Sequence, residues 1–199
     1  MGAPSSEREL LIRLRTGDER AFIELVELYH TQLIRLASAF VGRAEIAEDV
    51  AQETWLALLN GLDRFEGRSS LRTWLFQICV NRARSIGQRE HRTVPVELIE
   101  PAVDAEQFSP TGAWTSPPTP WPDAVSSALD DANLVGVIRR AIDGLPTMQR
   151  LVVTMRDIDG LSSKQVCQVL SITEANQRVL LHRGRSHIRR GIDGAVIGQ

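Results

Sequence analysis

Residues 162–190 read Ser162-SKQVCQVLSITEANQRVLLHRGRSHIR-Arg190, and this stretch decides the fold. Ser162 followed three residues later by Gln165 fits a capping box that opens a short helix. The turn Ser171-Ile-Thr173 comes next, and a last helix is expected from about Glu174 to Arg190. Two short helices joined by a three-residue turn, the second rich in arginine, make a helix-turn-helix arrangement. Arg178, Val179, His182 and Arg183 share a face of that second helix. Such a face can enter a major groove, where arginine reads guanine while neighbouring side chains hold phosphates. The plainer alternative is a solvated charged face whose arginines gain from the helix C-terminus.

Upstream of this motif the pattern stays helical. Leu134, Ile138, Ala141, Ile142 and Leu145 form one apolar stripe, stopped by Pro146. Leu151, Val152, Met155 and Ile158 form the next, stopped by Gly160. Near the front, Phe22, Leu25, Val26, Tyr29, Leu33, Leu36 and Phe40 recur at three- and four-residue steps, the stripe of an amphipathic helix. Val50, Thr54, Ala57 and Leu58 continue that period beyond Gly42, and Leu71, Leu75, Ile78 and Cys79 mark a third helix over 71–86. No stretch alternates with period two for long enough to make a strand. Between the two helical units, residues 94–133 hold seven of the nine prolines and no periodicity. Proline lacks a backbone donor and disfavours helix in the residue before it, so this segment reads as a linker. Trp114 and Trp121 within it either dock against a domain or partner or belong to a proline-rich coil. The expectation is an all-α chain. A helical bundle over 1–93 and a helix-turn-helix domain over 134–199 are joined by a long acidic, proline-rich linker.

Charge follows the same division. The 199 residues carry a net charge of −2, yet residues 1–93 are neutral, 94–133 carry −7 and 134–199 carry +5. Such asymmetry speaks to partners, because it steers association and says little of fold. The two cysteines, Cys79 and Cys167, have no CxxC spacing, and neither a secretory signal nor a membrane-length apolar run is visible. A reducing cytoplasm is the expected compartment. The four histidines are scattered, no glycine loop could cradle a phosphate, and no nucleophile has a recognisable setting, so neither enzyme activity nor cofactor nor metal is expected.

Two further constellations carry chemistry. Glu45, Asp49 and Glu53 form an i, i+4 ladder with Glu48 and Gln52 beside it, a spacing at which like charges repel. A basic protein partner would compensate it; plain solvent exposure is the alternative. Phe65-Glu-Gly-Arg-Ser-Ser70, followed by Trp74, Asn81, Arg82, Arg84 and Arg89, sets aromatic rings and small hydroxyls beside arginines. That combination suits unstacked bases of single-stranded nucleic acid.

AEDVAQETWLALL (47–59), FEGRSSLRTWLFQICVNRARS (65–85) and LPTMQRLVVTMRDIDGLSSKQVCQVLSITEANQRVLLHRGRSHIRR (145–190) resemble, in order and spacing, the extracytoplasmic-function sigma factors of bacterial RNA polymerase. The resemblance implies that Asp49, Gln52 and Glu53 grip the largest subunit of core polymerase. It implies that Phe65, Gly67, Arg68, Ser69, Ser70, Asn81, Arg82 and Arg84 hold the melted minus-ten element with one base flipped. Asn176, Arg178, Val179, His182 and Arg183 would contact the minus-thirty-five element, and the linker would thread the polymerase's RNA path. Core polymerase, through its largest and second-largest subunits, promoter DNA and an anti-sigma factor are the implied partners. Ser85 stands where the family often has aspartate, Cys167 where alanine is usual, and Gln177 at a normally apolar position of the last helix, which leaves a one-residue ambiguity in its buried face. A stand-alone dimeric helix-turn-helix regulator is the rival reading; it accounts for 134–190 but gives the acidic ladder and residues 65–89 no purpose.

Overall fold

The computed structural model describes residues 7–90 and 132–197, and among them all regular structure is helical. The expected linker, with Trp114 and Trp121, lies outside the described residues. The helices are α1 (Glu7–Arg15), α2 (Glu19–Ser38), α3 (Ala44–Gly61), α4 (Leu71–Glu90), α5 (Ala132–Asp143), α6 (Thr147–Val153), α7 (Ser163–Leu170) and α8 (Glu174–Ile197). A 3-10 turn, Leu62–Arg64, follows α3, and a π-helical turn, Thr154–Ile158, follows α6.

The chain divides into two units. The first contains α1–α4 together with residues 164–171; the second contains α5, α6 and α8. Most of α7 therefore groups with the first unit, whereas the sequence placed it within a continuous 134–199 domain. The eight-residue helix ends where the Arg84 guanidinium donates to the Leu170 carbonyl at 3.5 Å.

In the first unit α2, α3 and α4 pack around one apolar core. Leu25, Leu33 and Leu36 of α2 are fully buried, as are Val50, Ala51 and Leu58 of α3 and Leu75, Phe76 and Cys79 of α4. Phe22 meets Trp55 edge-on at 5.7 Å and Tyr29 meets Phe76 edge-on at 6.0 Å, the arrangement that ring quadrupoles favour. Thr54 is buried without penalty because its hydroxyl donates to the Val50 carbonyl at 2.7 Å. The Cys79 thiol donates to the Leu33 carbonyl, and burial pushes its pKa up to about 12, so it is an inert core thiol. α2 begins on Asp18, whose carboxylate accepts from the Arg20 and Ala21 amides at 2.9 and 3.3 Å.

In the second unit α5 and α6 pack on α8 through glycine. A Cβ at Gly184 would sit 2.5 Å from Val153 Cγ2, and one at Gly191 would sit 3.2 Å from Ala141 Cβ. One turn departs from the sequence expectation. Apolar spacing puts Ile158 in the stripe of Leu151, Val152 and Met155, but it is 51% exposed while those three are buried. The π-helical turn, with the Asp159 amide donating to the Thr154 carbonyl at 2.8 Å, inserts an extra residue and rotates Ile158 outward.

Candidate partner and nucleic-acid interfaces

α3 has two opposed faces. Ala47, Val50, Ala51, Thr54 and Leu58 are fully buried, which forces Glu45, Glu48, Asp49, Gln52 and Glu53 outward, where all are exposed. Periodicity alone produces this display, since the apolar positions recur at three- and four-residue steps and the carboxylates fill the intervals. Two features escaped the sequence reading. Leu56 and Leu59 extend the exposed face and are 61% and 44% accessible, so the ladder ends in an apolar patch. Glu53 also has an internal partner, with Arg82 of α4 donating to its carboxylate at 2.6 Å. Both side chains are substantially exposed, which makes the pair worth little in stability.

The loop between α3 and α4 sorts its residues into frame and display. Phe65 is 9% exposed and stacks on Trp74 with ring centroids 4.7 Å apart, so its ring supports the loop from beneath. Gly61 leaves room for Trp74, because a Cβ there would lie 3.0 Å from the indole. Ser70 caps α4: its hydroxyl accepts from the Thr73 amide at 3.1 Å and pairs with the Thr73 hydroxyl at 2.8 Å. Between these anchors Gly67 takes φ +71°, a conformation that costs other residues a Cβ clash. Glu66, Gly67 and Arg68 are exposed, with Arg68 and Glu66 ion-paired at 3.0 Å, and Ser69 is half-buried. Along α4, Asn81 is exposed, Arg82 and Arg84 are half-buried, and the Arg84 guanidinium lies 5.9 Å from the Phe40 ring centroid.

On α8 the buried face runs Gln177, Leu181, Gly184, Ile188 and Ile192. Gln177 thus takes an interior position, its side-chain oxygen accepting from the Ser163 hydroxyl at 2.9 Å. This fixes the register that the sequence left open: Arg178 and Arg183 are exposed, and Asn176, Val179 and His182 are half-buried. Thr173 caps the helix through its hydroxyl, which accepts from the Asn176 amide at 3.2 Å. Burial, then the neighbouring Arg183 charge, lowers the His182 pKa, so the ring is biased to the neutral form. Arg185 is engaged bidentately by Asp157, at 2.9 and 2.5 Å, which raises its pKa. Arg183, Arg190, His182 and His187 line a basic groove with Gly144 and Gln149. Among the described residues no group of three His, Cys, Asp or Glu side chains gathers as metal ligands, and no helix is long and apolar enough to cross a membrane.

Residues 25–93 match the family Sigma-70 region 2, and residues 136–188 match Sigma-70, region 4. These two regions in this order define the sigma-70 class of transcription initiation factors. The ECF RNA polymerase sigma-E factor of Salmonella typhimurium is 29% identical over 188 residues, covering 94% of this chain and 95% of that protein. Among solved structures, CnrH in complex with the cytosolic domain of CnrY has a TM-score of 0.61 at 21% identity, covering 96% of this chain and 99% of that one. The sigma factor RpoE in complex with the anti-sigma factor NepR from Bartonella quintana has a TM-score of 0.60 at 19% identity, covering 86% and 96%. Both likenesses show a shared fold. The chain belongs to the extracytoplasmic-function sigma factors of the sigma-70 family. It is an alternative sigma factor that directs transcription, with core RNA polymerase and promoter DNA as its partners.

Proposed function

We propose a division of labour among three surfaces. Asp49, Gln52 and Glu53 dock on a basic surface of core polymerase, with Leu56 and Leu59 adding apolar contact. The displayed middle of the 65–70 loop, with Asn81, Arg82 and Arg84, holds the melted minus-ten strand; Phe65 and Ser70 hold the loop in shape. The α8 residues Asn176, Arg178, Val179, His182 and Arg183 contact the minus-thirty-five duplex. Residues 1–93 and 134–199 are the two functional domains, 94–133 connects them, and the chain works in the cytoplasm. An anti-sigma partner is proposed as well, because the similar sigma factor RpoE was solved in complex with the anti-sigma factor NepR, and CnrH, of the same fold, in complex with the cytosolic domain of CnrY.

The observation that carries this reading is the two-faced display of α3, with Glu45, Glu48, Asp49, Gln52 and Glu53 all exposed on one side and Ala47, Val50, Ala51, Thr54 and Leu58 fully buried on the other. Capture by core polymerase and binding to an upstream-element duplex test it together. Asp49→Arg is expected to abolish capture while leaving the fold and duplex binding intact. Arg178→Ala is expected to weaken duplex binding by about 1–3 kcal/mol and leave capture unchanged. Unchanged capture by Asp49→Arg would reject the docking face.

A further inference from the structure

We infer that α1, which precedes the region 2 match, is a brace for the minus-ten loop and that Arg15 and Glu7 are its positioning residues. Arg15 Nε donates to the Leu62 carbonyl at 3.1 Å, and its Nη2 donates to the Phe65 carbonyl at 2.6 Å. These are the carbonyls at the entrance to the loop, and Leu62 O also accepts from the Phe65 amide. At the exit, the Glu7 carboxylate accepts from the Leu71 amide, the first residue of α4. The two side chains stand eight residues apart on a single helix, roughly 12 Å along its axis. One rigid element therefore holds both ends of the segment from Phe65 to Ser70.

The chemistry suits a brace. Charge-assisted hydrogen bonds to backbone groups are stronger than neutral ones, and they act here on carbonyls and an amide rather than on side chains that could swing away. A carboxylate beside a helix N-terminus also gains from the helix dipole. Gly67, with its left-handed backbone, confers freedom on the loop's middle, so the geometry of Arg68 and Ser69 depends on where the ends are fixed. The pinning from α1 adds to the support given by Trp74 from below. A loop held in the shape needed to receive a base loses less conformational freedom on binding.

This inference rests on the proposed role of the 65–70 loop, and the experiment separates the two. Full-length protein assembled with core polymerase is titrated with a single-stranded minus-ten oligonucleotide and with the same strand made abasic at the position proposed to flip. Wild type is expected to prefer the intact strand. Arg15→Ala and Glu7→Ala are each expected to lower intact-strand affinity by about tenfold and to pull the intact-to-abasic ratio toward one. Core capture and upstream-duplex binding should stay at wild-type values. Glu7→Gln, which keeps an acceptor for the Leu71 amide, should restore the ratio, a rescue that a general loss of stability would not give. Glu7 is exposed, so its variants keep the test available if Arg15→Ala fails to fold. A wild-type protein without preference for the intact strand would sink the loop's role itself. A wild-type preference that Glu7→Ala retains in full would overturn the brace.

Discussion

Asp18 and Gln177 show how a single side chain can be read as a thermodynamic statement. The Arg13 guanidinium, hydrogen-bonded at 2.7 Å, is the main reason the Asp18 carboxyl is held below the usual carboxylate range, with the Ala21 and Arg20 amides adding to the effect. A carboxyl whose pKa is lower folded than unfolded stabilises the protein above its unfolded value and loses that effect as pH falls through the folded one. Asp18→Asn keeps the amide-capping oxygen and removes the charge. Its melting temperature is expected below wild type at neutral pH, with the gap closing in acid; a gap independent of pH would contradict the assignment. Gln177 is 1% exposed and its side-chain nitrogen has no hydrogen-bond partner, which makes the Ser163 bond to its oxygen the main compensation for burying the amide. Ser163→Ala is expected to cost about 1–3 kcal/mol in denaturant unfolding. Adding Gln177→Met should return stability to within about 1 kcal/mol of wild type, because both polar partners are then gone.

At the scale of elements, the glycine at position 184 governs how closely α8 approaches α6. Gly184→Ala places a methyl 2.5 Å from Val153 Cγ2 and is expected to destabilise by about 1–3 kcal/mol. Val153→Ala in the same chain should make the double variant more stable than the sum of the single losses predicts, since the two residues compete for one space. Strictly additive losses would show that the crowding is relieved elsewhere. The stripes of α2, α3, α4 and α5 were legible because long amphipathic helices repeat their apolar positions often enough to fix the phase. α1 was not, because nine residues with Glu7, Arg8, Glu9, Arg13 and Arg15 present too short an apolar stripe, with Leu14 alone fully inside. The π turn was equally hidden, since apolar spacing carries no sign of an inserted residue and Ile158 fits either phase. The acidic ladder could be seen as a string of like charges. Its pairing through Arg82 could not, because that contact depends on how α3 and α4 face each other across the core. Phe65 and Ser70 illustrate the same limit: composition identified the loop but could not divide frame from display.

Over the whole molecule the uneven charge makes a prediction of its own. The C-terminal 134–199 segment carries +5 against −7 in 94–133, so binding to an upstream duplex should weaken steeply as salt rises. If Arg178 neutralises a phosphate as well as reading a base, Arg178→Ala should lower the slope of log affinity against log salt by about one. An unchanged slope would show that Arg178 neutralises no phosphate. The close seam at Gly184 and Gly191 has a consequence for how such proteins diversify. The spacing between the scaffold and the exposed helix face is set by absent atoms, and Arg178 and Arg183 take no part in it. If those outward positions contact promoter DNA as proposed, drift there retunes promoter preference stepwise, with no compensating change in the scaffold. Lineages can part in the genes they control long before they part in shape.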